Sequence, residues 1–534
     1  RQDASGILES IGAEAFSQQG VSTAADALKK LVGTSVQDDR YVVVRGMSDR
    51  YLSTLLNGGP VPSSDPERRA VNLDIFPTEV IDSITSSKTF TPDLPGESSG
   101  GNINIRTLSF PEEFTFKVGG SISYNSQATL NDRWRTYDGG GVPTFGFDSS
   151  RKLPDEYKQV APGNPPQVAP SKEVGLQWGE ATKAFSPVMG TTEDTPGLSH
   201  SWSAVLGETV EMMGRPLGIL LAATYDRDYS YQPDGQYGRY NYVDGRPIPE
   251  PLSGNFDGVK VFETDKGEDE VLASGLFNLS FEPSEDNRIS LTLLYNQTAK
   301  DEALRKRNDD AEEHILQYTE RSLNALQLAG EHIFEDLNRT RVNWLAARGN
   351  SSEKQPDGRR FFSRFSPSPG GNQYTVEGVG LTSEQPLLRT WKEFADESYS
   401  ARMDIAIPIT PEGEDGSEVK LGIYWDKQSR DYDQLDFAYQ AGAFAQTSYT
   451  ADGDESWQEV FGELEDNIGS VPFEARYDYY YNLLIGRGIP PATADAVARA
   501  RANAEADRNL YWFLYDTDDP FGEYEADQLI TAGY

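Results

Sequence analysis

The feature that most limits what this chain can fold into is a period-two alternation of apolar and polar residues. From Phe114 to Asn125, apolar or small residues alternate with polar ones. A tilted strand of about 9–11 residues spans a bilayer, and a barrel strand alternates lipid-facing with lumen-facing residues. The pattern occurs in nine segments. They are Phe114–Asn125, Trp202–Met212, Leu217–Tyr225, Val271–Phe281, Ile289–Tyr295, Gln317–Phe334, Arg339–Ser351, Tyr399–Ile409 and Val419–Ile423.

The connections between these segments alternate strictly in length. Short turns occur at Gly214–Pro216, Pro283–Asn287, Glu335–Leu337 and Pro411–Ser417. Long polar connections occur at Ala128–His200, Gln232–Glu270, Lys300–Leu316 and Ser352–Glu393. Outer-membrane barrels separate short periplasmic turns from long extracellular loops in this way. A soluble sandwich or propeller also repeats strands, but it has no reason to segregate loop lengths, so the sequence favours an antiparallel transmembrane barrel.

Composition excludes several classes of function. The net charge of −37 would repel nucleic acid and disfavours a polybasic membrane-surface protein. The chain contains no cysteine, so it has neither disulfides nor thiolate metal sites. No nucleophile elbow, phosphate loop or dinucleotide fingerprint is present, and we predict that the chain is not an enzyme.

The sequence predicts no cofactor. His200, His314 and His332 are scattered without metal-ligand spacing. Acidic clusters at Asp309–Glu313 and Asp452–Glu455, and the acidic stretch Glu412–Glu418, lack EF-hand spacing. A solvated charged surface explains them, and Ca²⁺ bound in acidic loops is the alternative.

The stretch Arg40–Thr107 has a different character, with short β-branched runs stopped by Gly, Asn or Pro. Its pieces resemble, in order, the plug domain of TonB-dependent outer-membrane receptors. The matching pieces are the helix and glycine turn at Val21–Val36, Arg45-Gly46, the hairpin residues Asn57-Gly58, the strand Val80–Ile84 and the closing strand from Gly100-Gly101 to Ile105. Lys88 is followed by Thr89 where the family has Lys-Gly, so that match is partial.

This resemblance implies a mainly β fold, with a small α+β plug inside an antiparallel barrel of about 22 strands. About nine of those strands are predicted here, so we expect the chain to stop within the barrel. The predicted organisation is a lead-in at 1–20, a plug at 21–110, a partial barrel at 111–431 and a long acidic, aromatic extracellular region at 432–534. No signal peptide or TonB box is recognisable at the N-terminus. Helix-like sequence covers Thr493–Ala506, and the aromatic Tyr534 is interpreted as coincidental.

The resemblance further implies a receptor in the outer membrane of a Gram-negative bacterium, for active uptake of a siderophore, carbohydrate or peptide-like nutrient. Its partners would be the small ligand, TonB, and outer-membrane lipid and lipopolysaccharide, with a surface lipoprotein as a further candidate. The predicted ligand-binding residues, on the plug apex and loops, are Asp49, Arg50, Tyr51, Arg68, Arg69, Trp134, Tyr237 and Tyr240. The plug arginines Arg45 and Arg106 are expected to form buried ion pairs with lumen acids.

Two alternatives remain open at this stage. The aromatic residues of the long loops suit either an interfacial girdle or stacking against a ligand. The same plug-and-barrel body would also suit a non-transporting adhesin or assembly scaffold. A passive porin is disfavoured because a plug would block its lumen.

Overall fold

The computed structural model describes most of the chain between residues 8 and 533. The described residues are 8–12, 15–16, 24–31, 33–37, 41–44, 52–61, 76, 81–87, 100–108, 110–111, 113–160, 177, 181, 184–186, 188–238, 240–243, 246–249, 261–308, 311–368, 371–377, 388–409, 418–440, 448–451, 481, 484–485, 490–504, 513–516 and 523–533. Within these ranges, no helix has both the length and the apolar character needed to cross a membrane.

The N-terminal part is a small α+β unit. Its elements are β1 (Leu8–Gly12), α1 (Ala24–Leu28), β2 (Thr34–Gln37), β3 (Tyr41–Val44), β4 (Leu52–Leu56), β5 (Gly59–Pro60), β6 (Ile81–Ser87) and β7 (Gly101–Thr107). Five strands form one sheet in the order β1-β6-β7-β4-β5, in which β4 and β7 are parallel. Gly33, with φ of +73°, ends the helical segment where the sequence predicts a stop.

The remaining strands follow in chain order. They are β8 (Thr115–Ser123), β9 (Trp134–Thr136), β10 (Thr192–Asp194), β11 (Ser199–Met212), β12 (Arg215–Tyr237), β13 (Tyr240–Val243), β14 (Arg246–Pro249), β15 (Phe262–Ser284), β16 (Asn287–Arg307), β17 (Ala311–Phe334), β18 (Thr340–Ser368), β19 (Gly371–Glu377), β20 (Leu388–Pro408), β21 (Glu418–Gln440), β22 (Ser448–Ala451), β23 (Phe513–Asp516) and β24 (Glu523–Gly533). The helices are α2 (Asp155–Val160) and α3 (Pro491–Ala504), and Glu335–Leu337 is a 3-10 turn.

All nine predicted barrel strands belong to one antiparallel sheet. Its order is β8-β11-β12-β15-β16-β17-β18-β20-β21, each strand pairing with the next long strand along the chain. The sheet is not closed into a barrel among the described strands. Several strands are much longer than predicted. The halves of these strands that lie away from the short turns, termed the upper halves, carry charged residues that hide the alternation of apolar and polar residues. β12, for example, continues to Tyr237.

The sequence analysis missed a tenth long strand. β24 pairs with β21 in antiparallel register from Ile423↔Gly533 to Asp433↔Glu523. It lies within the stretch 432–534 that was predicted to be an extracellular region, and β21 itself extends past the predicted boundary to Gln440. The acidic residues of Glu523–Gly533 mask its alternation, and pairing with β21 supplies the register that composition does not show.

The two faces of the large sheet differ. On one face, a register row of partners joins Phe116, Leu206, Leu221, Phe277, Leu293 and Leu326. Every second residue along a strand points to the same face. On this face, exposed apolar residues continue towards the short turns, among them Ile289, Leu328, Met403 and Leu421. This face, termed the outward face, has the apolar band that the alternation predicts for lipid contact. The N-terminal α+β unit packs against the opposite, inner face.

A long connection covers the upper part of the outward face. We term the described residues between 126 and 198 the docked loop, which includes β9, β10 and α2. It packs on Val271, Ala299 and Tyr318. These residues lie an even number of positions along the strands from Phe277, Leu293 and Leu326, and therefore on the same face of the sheet. The docked loop and the N-terminal unit therefore lie on opposite faces of the sheet.

Candidate functional site

Most of the predicted ligand-binding residues at the apex lie outside the described residues. These are Asp49, Arg50, Tyr51, Arg68 and Arg69, and the predicted structural residues Arg45 and Gly46 lie outside them as well. The candidate site is therefore built from the contact between the N-terminal unit and the sheet, and from the inner-face side chains above that contact.

A tight hairpin presents the N-terminal unit to the sheet. Asn57 and Gly58 lie between β4 and β5, with φ of 51° and 86°. Two consecutive positive φ values favour an Asn-Gly pair, because Asn tolerates the left-handed region and Gly has no Cβ. The Gly58 amide donates to Asn104 Oδ1 at 3.0 Å, and the Asn57 amide donates to the Ile105 carbonyl at 2.8 Å. These bonds fix the hairpin against β7.

A second glycine position marks the start of β7. Gly101 has a φ of +145°, and a Cβ there would lie 3.1 Å from the Ser87 carbonyl oxygen on β6. Gly100 precedes it in a turn, and both residues are buried. Close approach of β6 and β7 thus requires glycine at position 101.

Neutral side chains bridge the N-terminal unit to the inner face. The Thr107 amide donates to Asn57 Oδ1 at 2.9 Å, and Asn57 Nδ2 donates to Thr292 Oγ1 on β16 at 3.4 Å. Asn278 Nδ2, on β15, donates to Thr107 Oγ1 at 3.2 Å and to Thr292 Oγ1 at 3.1 Å. Thr107, Asn278 and Thr292 are all buried. The two parts are thus joined by hydrogen bonds without formal charge.

Apolar packing surrounds this polar bridge. Leu56, Ile84 and Ile105 of the N-terminal unit lie in one continuous buried cluster with Leu276 and Leu294 of the sheet. A Cβ at Gly59 would lie 2.8 Å from Gln327 Nε2 and 3.1 Å from Leu345 Cδ2, so the hairpin also approaches the sheet closely.

The expected ion pair of Arg106 with a lumen acid does not appear. Arg106 is exposed on β7, and among the described residues it forms no ion pair with a carboxylate of the sheet. Alternation along β7 explains this result, because Ile105 and Thr107 point to the buried sides while Arg106 points away. Arg45 lies outside the described residues.

Replacing Asn278 by Leu should weaken the docking of the N-terminal unit by about 1–3 kcal/mol, because buried hydroxyls lose their amide donor. The measurement is the urea concentration at which trypsin begins to cleave the N-terminal unit in membrane vesicles. Asn343→Leu is the matched control, since Asn343 is an exposed amide on β18. Equal urea dependence for both variants would contradict the bridging role of Asn278.

Above the N-terminal unit, the inner face of the sheet carries a network of charged side chains. Glu268 on β15 accepts from Lys300 Nζ at 2.5 Å, from Lys266 Nζ at 2.9 Å and from Ser230 Oγ at 2.8 Å. Lys300 Nζ also lies 3.3 Å from a Glu302 oxygen. Acidic and basic groups alternate here, so the wall can hydrogen-bond a polar ligand of either sign.

The charged wall continues across β17, β18, β20 and β21. Arg321 Nε lies 2.6 Å from a Glu353 oxygen. Asp396, whose side chain is fully buried, accepts from Arg430 Nε at 2.8 Å and from Gln428 Nε2 at 2.7 Å. Sequence patterning missed these residues, because each lies among other polar residues and only cross-strand register brings the partners together.

The predicted aromatic ligand residues have different environments. Tyr237 is 45% exposed at the upper end of β12, and Lys306 Nζ lies 4.2 Å from its ring centroid. Trp134 is buried, and its Nε1 donates to the Ser230 carbonyl at 2.8 Å while its ring meets Tyr229 edge-on. In this structure Trp134 anchors the docked loop, and its ring is not open to a ligand. Tyr240 lies in β13, but its side chain is outside the described part.

A buried charged cluster attaches the docked loop to the outward face. Asp301 accepts from the Tyr137 hydroxyl at 2.6 Å and from Arg151 Nη2 at 3.3 Å. Asp269 accepts two bonds from Arg227, at 3.1 and 2.6 Å, and one from the Val142 amide at 2.9 Å. These residues were not predicted, because the loop residues Tyr137, Val142 and Arg151 lie more than one hundred residues from their partners Asp301 and Asp269.

The pKa values of Tyr137 and Arg151 are both raised in this cluster. Burial and the neighbouring Asp301 raise the pKa of Tyr137 well above its ordinary value. Burial alone would lower the pKa of Arg151, but Tyr137, Asp301 and Asp148 together raise it. Arg151 therefore stays protonated and Tyr137 stays a hydroxyl donor throughout the physiological range.

The three histidines serve local roles in the described structure. His314 Nε2 lies 3.2 Å from Glu312 Oε1. His332 accepts from Trp344 Nε1 at 3.0 Å, and His200 Nδ1 lies 3.2 Å from the Leu198 carbonyl. In the part of the chain that the structure describes, no group of three or more His, Asp or Glu side chains has an arrangement able to hold a metal ion.

Comparison with known families assigns the N-terminal unit. Residues 1–102 match the family model described as the TonB-dependent receptor plug domain. This chain carries a TonB-dependent receptor plug. The match confirms the resemblance seen in the order of the Arg-Gly, Asn-Gly and Gly-Gly motifs. The plug family is a receptor family and not a class of enzymes. The search of curated proteins found no match.

Three solved structures of outer-membrane receptors and transporters are similar to this chain at low sequence identity. The ferric yersiniabactin uptake receptor FyuA from Yersinia pestis is 12% identical, with 81% of this chain and 58% of that chain covered, at a TM-score of 0.41. The ferric citrate transporter FecA is 11% identical, with 85% and 61% covered, at 0.38. BauA, the ferric preacinetobactin receptor from Acinetobacter baumannii, is 10% identical, with 83% and 66% covered, at 0.36.

This chain thus spans about three fifths of the length of the first two receptors, 58% and 61%. The N-terminal unit is assigned as a plug by the family match to residues 1–102.

Proposed function

We propose that the chain is an outer-membrane receptor for TonB-dependent active uptake of a scarce nutrient. One observation carries the proposal: a TonB-receptor plug packs on the inner face of a sheet whose outward face bears a band of exposed apolar side chains. Such a band is the surface that a barrel presents to lipid. A domain on the inner face is in the position to control passage through the lumen.

In this proposal the ligand binds from the outside, between the plug apex and the charged inner wall around Glu268 and Lys300. Paired acids and bases suit a ligand with several polar groups, such as a siderophore, a carbohydrate or a peptide. Ligand binding then favours a plug state in which TonB engages the N-terminal segment and pulls, with energy from the inner-membrane proton gradient.

The neutral plug contact supports release by a modest force. Breaking a buried ion pair leaves uncompensated charge, at about 3–5 kcal/mol, whereas a neutral hydrogen bond contributes about 0.5–1.5 kcal/mol. The contacts of Asn57 and Thr107 with Asn278 and Thr292 are of the second kind. Separation of these four described residues exposes no buried charge, which supports release of the plug from β15 and β16.

A reversible cross-link tests this function. The chain has no cysteine, and Thr107 Oγ1 lies 3.2 Å from Asn278 Nδ2. Joining Thr107→Cys and Asn278→Cys with a short bis-methanethiosulfonate reagent, which forms one disulfide with each cysteine, should abolish uptake because the plug can no longer leave the sheet. Reduction of the disulfides should restore uptake. Uptake is measured in intact cells with and without TonB, using radiolabelled ferric siderophores, oligosaccharides and short peptides.

The control cross-link joins two barrel strands and does not touch the plug. Ser121 Oγ and Ser201 Oγ lie 2.7 Å apart on β8 and β11, and Ser121 is exposed while Ser201 is partly buried. The pair Ser121→Cys and Ser201→Cys should leave uptake unchanged. Two results would instead favour the adhesin or scaffold. Uptake by the wild type would be the same with and without TonB, and deletion of the gene would abolish surface attachment but not uptake.

A further inference from the structure

A groove of about 580 Å³ lies on the outward face of the sheet, on the opposite side from the plug. Its apolar wall is formed by Leu221, Phe277, Leu293 and Leu326, which are consecutive partners on four neighbouring strands. Gly275, next along β15 on the same face, has no side chain and deepens the groove. The wall crosses four strands, or about 14 Å at the usual strand spacing.

One end of the groove is polar. Arg348 is the next partner in the register row after Leu326, and Tyr295, Asn324 and Asn350 line the groove one row above. Arg348 is 54% exposed, and its Nε and Nη2 donate to one oxygen of Glu397 at 3.2 and 2.8 Å. Its guanidinium has a further nitrogen, Nη1, with two more donors for an anion.

The tip of the docked loop lies immediately above the groove. Gln297 and Ala299 follow Tyr295 on the outward face of β16, and Gln297 Nε2 donates to the Gly146 carbonyl at 3.1 Å. On either side of Gly146, Phe145 and Phe147 are 60% and 55% exposed. Exposed aromatic rings at the upper edge of an apolar band are typical of the membrane interface.

We propose that this groove binds a phosphorylated, acylated lipid of the outer leaflet. An acyl chain lies along Leu221, Phe277, Leu293 and Leu326, and the phosphate accepts hydrogen bonds from Arg348 with the amides nearby. The groove is continuous with the exposed apolar band, so its occupant comes from the bilayer and not from solution. The inference rests on the proposed outer-membrane location of the chain.

The experiment uses the full chain, purified from outer membranes in a mild detergent, with bisphosphorylated lipid A as the probe in native mass spectrometry. One bound lipid is expected on the wild type. Arg348→Gln should weaken lipid A binding about tenfold through loss of a charge-assisted bond, and Arg348→Lys should retain most of it. Gly275→Val should remove binding by filling the groove, since the nearest heavy atom to a Cβ there is 3.9 Å away and the fold tolerates it.

The matched control is Arg341→Gln. Arg341 is 52% exposed on the same strand and pairs with Glu418, as Arg348 pairs with Glu397, but it does not line the groove. It should bind lipid A as the wild type does. Absence of lipid on the wild type, equal affinity of Arg348→Gln and wild type, or displacement of the lipid by inorganic phosphate would each overturn the proposal.

Failure of this inference is distinguishable from failure of the proposed function. Loss of lipid binding with intact TonB-dependent uptake would remove only the lipid site. Absence of the protein from the outer membrane, established by fractionation, would remove the receptor proposal first.

Discussion

Replacing Gly267 by Ala should detach the docked loop from the sheet around β9. A Cβ at this position would lie 1.9 Å from the Arg135 carbonyl oxygen and 2.9 Å from its amide nitrogen. Because these are backbone atoms, no rotamer change relieves the clash and β9 must move. Movement of β9 separates Arg135 from Asp265 on β15, whose charged atoms lie 3.8 Å apart, and pulls Trp134 from its buried site. We expect a loss of about 3 kcal/mol or more of docking free energy.

The measurement is the rate at which an added protease cleaves the docked loop in intact outer membranes. A loss of this size should raise the rate about 100-fold if cleavage follows transient opening. Gly275→Ala is the control on the same strand and face, because a Cβ there meets nothing closer than 3.9 Å. Equal cleavage rates for the two alanine variants would contradict the close approach of Arg135 to β15.

Replacing Asp301 by Ala should open the docked loop through electrostatics. The carboxylate of Asp301 accepts from Tyr137, from the Gly141 amide and from Arg151, and both it and Arg151 are buried. Removing one partner of a buried pair costs about 3–5 kcal/mol, and the Asp148–Arg151 pair at 3.3 Å offsets part of it. We expect a loss of about 3 kcal/mol, seen as faster protease cleavage between residues 137 and 160.

Asp155→Ala is the control for charge removal in the same loop. Asp155 pairs with Lys158 at 3.3 Å, but both side chains are at least half exposed, and such pairs contribute about 0–1 kcal/mol. A cleavage rate for Asp301→Ala no higher than that of Asp155→Ala would show that the loop is held by other contacts.

Local patterns in the sequence were sufficient for much of the fold. The alternation in Ile289–Tyr295 predicted both the strand and its lipid-facing side, because side-chain direction along a strand depends only on parity. Asn57-Gly58 predicted the hairpin, because two positive φ values restrict the residues that can form it. The plug was found from the order of such short motifs, and the family match to residues 1–102 agrees.

Other features depended on contacts between distant segments. β24 is polar enough to resemble a loop, and it becomes a strand through its pairing with β21. Trp134 seemed suited to a ligand, yet its indole is buried against Tyr229 and Tyr231. Among the described residues, the plug meets the sheet through Asn57, Thr107, Asn278 and Thr292, which only the folded register brings together.

The sequence by itself determined the positions of nine strands of the large sheet, which side of each is apolar and where the plug lies. Only the tertiary structure decided that the docked loop covers the outward face, that Asn57 and Thr107 meet β15 and β16 through neutral side chains, and that a groove ends at Arg348. The physical reason is that strand parity and turn conformation are set within a few residues, whereas each of these contacts requires a register among strands far apart in the chain.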